Sequence, residues 1–217
     1  MADLLYLSLW FPDFRLTSLA PALVRVLRQV AASGGSPRVH AATVYPISWS
    51  ESPVYQRVYR EEEREESAPE RAVAEACAAL HEDFAFEFEA RWDLWTPPES
   101  PCASPAKPPA RPSMPATQPW DRAASVVRVV GFGPLFDDGA YEQNGEIRVD
   151  FGVDSPFLGE EAELDGGGCE YLKGNIQQLL EFTNLVQRNC GVSGRLLWSE
   201  SGENLAEKLI ARLQRVN

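Results

Sequence analysis

Between Phe84 and Trp95 the chain alternates. Phe84, Phe86, Phe88, Trp92 and Leu94 fall on one side, and Glu87, Glu89, Arg91 and Asp93 on the other. A period of two marks a strand, because successive side chains leave a pleated backbone on opposite faces. Aromatic side chains also favour that surface. A strand this long, with one oily face, cannot stand alone in water. It needs sheet neighbours, and a second layer over the oily side. The rest of the chain is read by asking what supplies them.

Upstream, Leu5, Leu7, Leu9 and Phe11 alternate with Tyr6, Ser8 and Trp10. Both sides are largely apolar, as in a central strand. Leu19, Leu23, Val26, Leu27 and Val30 then recur at steps of three and four, the spacing of a helix face. Thr17 or Ser18 supplies a cap, Pro21 fits a first turn, and Gly34-Gly35 stops the helix. Val39 to Trp49 and Val54 to Arg60 read as a hairpin about the turn Ser50 to Pro53, with Pro46 marking an edge or a bulge. Glu61 to Glu66 is a solvated charge run. Pro69 to His81 reads as a second helix, burying Val73, Ala76, Cys77 and Leu80. The order is β-α-β-β-α-β, which predicts a ferredoxin-like unit over residues 1–95.

Residues 96–119 hold 9 of the 17 prolines and read as an insertion or linker. Pro-x-x-Pro spacing occurs there at Pro105–Pro108, Pro109–Pro112 and Pro112–Pro115. Residues 120–217 read as a hairpin with two helices, either a separate unit or a continuation of the same sheet. Val126 to Phe132 and Ile147 to Phe151 are its strands, with Asn144-Gly145 as a tight-turn signal. Asp154 to Gly168 reads as a loop. Glu170 to Asn189 is the longest helix, with Leu172, Ile176, Leu179, Leu180, Thr183 and Val186 expected on one stripe. Arg195 to Trp198 is a short strand, and Leu205, Leu209, Leu213 and Val216 face inward from a last helix. The expected fold is therefore α+β, an antiparallel sheet with helices packed on one face.

The formal charge is −12, from 32 acidic and 20 basic residues. Such a surface repels phosphate backbones, which argues against a nucleic-acid partner and for a basic protein. No stretch approaches the roughly 18 apolar residues of a membrane span, and Asp3 stands where a signal peptide carries positive charge. The four cysteines have no Cys-x-x-Cys spacing, and Cys169 and Cys190 flank a long helix, too far apart to bridge if it is continuous. These signs point to the cytoplasm and reduced thiols.

Only His40 and His81 are available for histidine chemistry, and neither sits in a nucleophile or zinc pattern. Gly131-Phe132-Gly133 lacks the third glycine of a dinucleotide site. No cofactor or metal is expected. The most distinctive polar cluster is Trp198, Ser199, Glu200, Ser201 and Glu203, at a strand-to-helix junction. Tyr55 and Tyr59 add aromatic side chains on a candidate strand face, as do Trp10 and Trp49. Acidic and aromatic surfaces suit recognition of a basic protein without catalysis, and the immunity proteins that neutralise toxins are one such class. Two other readings stay open: a carboxylate- or divalent-metal-dependent enzyme around Asp137, Asp150 and Asp154, and a small-molecule regulatory domain.

Overall fold

The computed structural model describes residues 3–96, 120–158 and 166–201. Seven strands form one sheet: β1 (Leu4–Trp10), β2 (Gly35–Pro46), β3 (Tyr55–Val58), β4 (Phe84–Thr96), β5 (Asp121–Phe132), β6 (Ile147–Val153) and β7 (Gly194–Ser199). Their order is β3-β2-β4-β5-β6-β1-β7, and every neighbouring pair is antiparallel. Helices α1 (Leu19–Ala32), α2 (Pro69–Ala76) and α5 (Gly166–Asn189) pack on one face, hereafter the helix face. Two short helices, α3 (Tyr141–Asn144) and α4 (Ser155–Leu158), are also present among the described residues. The protein is an α+β fold with a seven-stranded antiparallel sheet and helices packed against it.

The alternation of Phe84–Trp95 sorts as the pleat demands. Phe86, Phe88 and Trp92 are fully buried beneath the helices. Glu87 and Glu89 project from the far face, beside Thr43 and Ala41 of β2 and Val130 and Arg128 of β5. Leu5, Leu7 and Leu9 of β1 join the same core with Val127, Val129, Ile147 and Val149. Leu23, Val26, Leu27 and Val30 of α1 and Leu172, Ile176, Leu179, Phe182 and Val186 of α5 close it from above. Each such side chain contributes about 1.5–3 kcal/mol of transfer free energy.

The ferredoxin-like pairing does not form. That arrangement sets the first strand of the unit beside the fourth. Here β1 lies between β6 and β7, and β5 and β6 separate it from β4. Alternation along a strand says which face is buried, but not which strand lies alongside. Helix α1 connects β1 to the parallel β2 across β6, β5 and β4. At 14 residues it is roughly 21 Å long, enough to roof the intervening strands. The roof is close at Gly131 of β5, where a methyl group would come within 2.7 Å of the Leu19 side chain. The first glycine of Gly131-Phe132-Gly133 is thus explained by helix–sheet approach, and the second by the Glu82 backbone against it.

Other boundaries also move. β2 begins at Gly35 and ends at Pro46, β3 is four residues long, and α2 stops at Ala76, before Leu80. Helix α5 begins at Gly166, inside the expected loop, and α4 occupies another part of that loop. Asn144-Gly145 is not a two-residue hairpin turn. It ends α3, with Gly145 at φ +79° against the Leu9 backbone. The β5–β6 connection is long because it does packing work: Phe136 is fully buried and Tyr141 half-buried against Ala85, Val130 and Phe132 on the far face. The proline-rich stretch from residue 97 to 119, with its Pro-x-x-Pro motifs and Cys102, and the helix expected around residues 205–216 lie outside the described residues. Cys77, Cys169 and Cys190 are free thiols.

Candidate functional site

The far face of the sheet carries two lines of side chains that run across the strands. In one, Ala41, Glu89, Arg128, Asp150, Tyr6 and Trp198 are successive register partners from β2 to β7. In the other, Thr43, Glu87, Val130, Arg148, Ser8 and Leu196 follow each other in the same way. Directly opposed residues hold their Cβ atoms about 5 Å apart, so each side chain meets its neighbours in the line.

The contacts follow from that spacing. Arg128 Nε donates to Glu89 Oε1 at 3.2 Å. Arg148 lies over the Tyr6 ring, with its guanidinium carbon 4.9 Å from the centroid, and also over Phe132 at 5.6 Å. Its Nη1 donates to Asn144 Oδ1 at 2.9 Å, while its Nε is buried without a hydrogen-bond partner among the described residues. Tyr6 packs against Trp198 with centroids 4.6 Å apart. Trp198 Nε1 donates to Ser8 Oγ at 3.0 Å, covering a serine that has no solvent exposure. Asp150 Oδ1 accepts from Gly152 N.

Burial sets the electrostatics. It raises the Glu87 carboxyl above the usual carboxylate range; Arg128 pulls the other way, and Glu89 and Asp150 add to the rise. Glu87 has no hydrogen bond or ion pair among the described residues, so its charge is answered only at a distance. Burial lowers Arg148 against the pull of Tyr6, Asp150 and Glu87. For Arg128 burial works against the charge, but Glu89, Glu87 and Asp150 together outweigh it and hold it up. Burial, then Asp150, raises the Tyr6 phenol. The face is a lattice of alternating acids and arginines, flanked by aromatic rings.

Apolar side chains border this lattice. Val58 is 70% exposed, Leu196 52% and Val126 44%, and all three stand on the far face. At the end where β4 begins, Trp49 stacks edge-on against Phe132 and Phe136, under the segment that links β5 to β6.

The residues singled out from the sequence do not form one site. Tyr55 and Tyr59 point into the helix face, and Tyr59 is only 6% exposed. Neither phenol oxygen has a hydrogen-bond partner among the described residues; burial, then the adjacent Tyr55 hydroxyl, raises Tyr59. They sit on the β3 edge, and Trp198 lies on the opposite edge and the opposite face. Six strand spacings separate those edges, roughly 29 Å. Ser199 is buried on the helix face, with its hydroxyl 3.3 Å from that of Ser201. Glu200 is exposed, and its N–H donates to Leu4 O, while Ser201 is exposed. Glu203 lies outside the described residues. Of the group, Trp198 alone belongs to the two lines.

The carboxylates considered for a metal are also apart. Asp137 sits in the β5–β6 connection, where its N–H bonds Ile47 O. Asp154 lies beyond the other end of β6, accepting from Asp3 N. Among the described residues no group of His, Cys, Asp and Glu converges as a metal would require. His40 is held neutral-leaning by burial, then by Arg91 and Arg38.

Tyr6, Arg128 and Arg148 are the members of the site that sequence patterning passed over. Arg148 and Asp150 alternate with Ile147, Val149 and Phe151, which marks them only as outward-facing. Comparison with protein-family models, curated proteins and solved structures finds no match for this chain. No helix among the described residues is long and apolar enough to cross a membrane.

Proposed function

We propose that this chain is a protein-recognition module that engages a basic protein segment through the far face of its sheet. The observation that carries the reading is the pair of cross-strand lines. They hold Tyr6, Trp198, Arg128 and Arg148 in one half-buried patch with Glu87, Glu89 and Asp150. Tyrosine, tryptophan and arginine are the residues enriched where proteins bind one another, and they concentrate the binding energy. Glu87 supports a basic partner, since a cation delivered to it would pair a carboxylate that has no ion pair among the described residues. The net charge of −12 would steer such a partner from a distance. Neutralising a cationic toxin, as an immunity protein does, is one form this binding would take.

The test begins with the purified chain as bait in a cell lysate, washed at low and at high salt. A basic protein retained only at low salt is identified, purified and titrated against the chain. Affinity is expected to fall about tenfold or more in the double variant Glu87→Lys, Glu200→Lys, a loss of about 1.4 kcal/mol or more. It is expected to hold in Glu181→Lys, which makes the same kind of charge change on the exposed side of α5. Absence of any salt-sensitive basic partner, or equal binding by the double variant, would remove the reading.

A further inference from the structure

On the other side of the molecule a cavity of about 380 Å³ opens where the end of β1 meets the first turn of α1 and the last turn of α5. Its walls are Phe11, Phe14 and Ala22, and its polar groups come from Ser18, Arg25 and Asn189. The two phenyl rings stand 6.2 Å apart at a tilt of 37°, forming an apolar corner. Arg25 reaches across from α1 and donates through Nε to the carbonyl of Cys190, the residue after α5, at 3.3 Å. That bond offsets the negative end of α5 and fixes the guanidinium at the cavity wall. Its two Nη groups have no hydrogen bond, and no carboxylate lies within ion-pair distance, among the described residues. Arg28, Arg57, Arg71 and Arg128 each have a carboxylate within 4 Å. Ser18 stands at the start of α1 without a side-chain capping bond. What sets Arg25 apart is its place, since it lines this cavity beside Phe11 and Phe14 with both Nη groups unclaimed among the described residues.

From this geometry we infer that the cavity binds a small carboxylate with an apolar body. Arg25 Nη groups take the carboxylate in the paired geometry that a guanidinium offers. Phe11, Phe14 and Ala22 receive the apolar part, and the Ser18 hydroxyl donates to the second oxygen. The volume lies within the range of small-molecule sites. This site is separate from the far-face lattice and does not depend on it.

The probes are benzoate and its neutral counterpart benzyl alcohol, titrated into the full chain and followed by isothermal calorimetry and by saturation-transfer NMR. Benzoate is expected to saturate in the millimolar range or tighter, and benzyl alcohol to bind about tenfold more weakly. Arg25→Met is expected to erase the preference for the anion, and Arg25→Lys to retain part of it. Phe14→Ala, which shortens a half-exposed wall, is expected to weaken both probes alike. Circular dichroism checks that each variant keeps its fold. Failure of benzoate to saturate a folded chain would overturn the proposal. So would benzoate binding that Arg25→Met and Phe14→Ala leave unchanged.

Discussion

At the scale of single residues, the informative positions are polar groups that the fold encloses. Glu87 is the first. Its folded carboxyl is raised, chiefly by burial. Between the ordinary carboxylate range and that raised value, the folded chain binds more protons than the unfolded chain, so stability falls as pH rises through the window. Above the window the whole penalty is present. Glu87→Gln is therefore expected to melt at a higher temperature than the parent at pH 7. The gain should shrink as pH falls toward about 4. A variant that melts no higher at pH 7 would mean that Arg128 outweighs burial. Asn175 is the second. It is fully buried on α5, where Oδ1 accepts from Trp95 N and Nδ2 donates to Trp95 O and Pro156 O. Asn175→Ala strands all three partners and should cost about 2–4 kcal/mol in urea unfolding. A cost below about 0.5 kcal/mol would show that water replaces the amide.

Among the elements, the contact of α1 with β5 sets how closely the helical layer lies on the sheet. Gly131 permits that approach, because any Cβ there would collide with Leu19 and crowd Leu23. Gly131→Val is expected to destabilise by about 1–3 kcal/mol or more through overpacking. The same change paired with Leu19→Ala should recover part of the loss, since the smaller side chain makes room. Equal destabilisation in the double variant would place the cost in the strand itself. The elements were legible to different degrees. β1, α1, β4 and β6 stand close to where periodicity put them, because each is long or strictly patterned. The β5–β6 connection was misread because Asn144-Gly145 looks the same at a helix end as in a hairpin. The two are told apart by the helical bonds from Asn144 N to Ala140 O and from Gly145 N to Tyr141 O, and by the burial of Phe136 against Phe132.

Across the whole molecule, the sheet interleaves distant parts of the chain. β1 takes both partners, β6 and β7, from residues beyond 145, and β4 pairs along its length with β5. Residues 1–95 by themselves would leave β1 without either neighbour and one edge of β4 open. Such a fragment is expected to show no cooperative thermal transition by circular dichroism and to aggregate through its aromatic strand. A sharp melt from that fragment would mean that the N-terminal β-α-β-β-α-β segment closes on itself in another pairing. The candidate site depends on the same interleaving. Its residues come from β4, β5, β6, β1 and β7, and no two of those strands present them at neighbouring positions in the chain.

Period and composition were enough to establish the layers: roughly where the strands lie, which side of β4 faces oil, and that helices cover it. Those are local consequences of backbone geometry and of the cost of wetting apolar surface. Strand order lay beyond them, and so did the meeting of Glu89, Arg128, Asp150, Tyr6 and Trp198 in one line. Alternation fixes the face a side chain takes but carries no information about its lateral neighbour. That choice was made by packing among segments up to 190 residues apart.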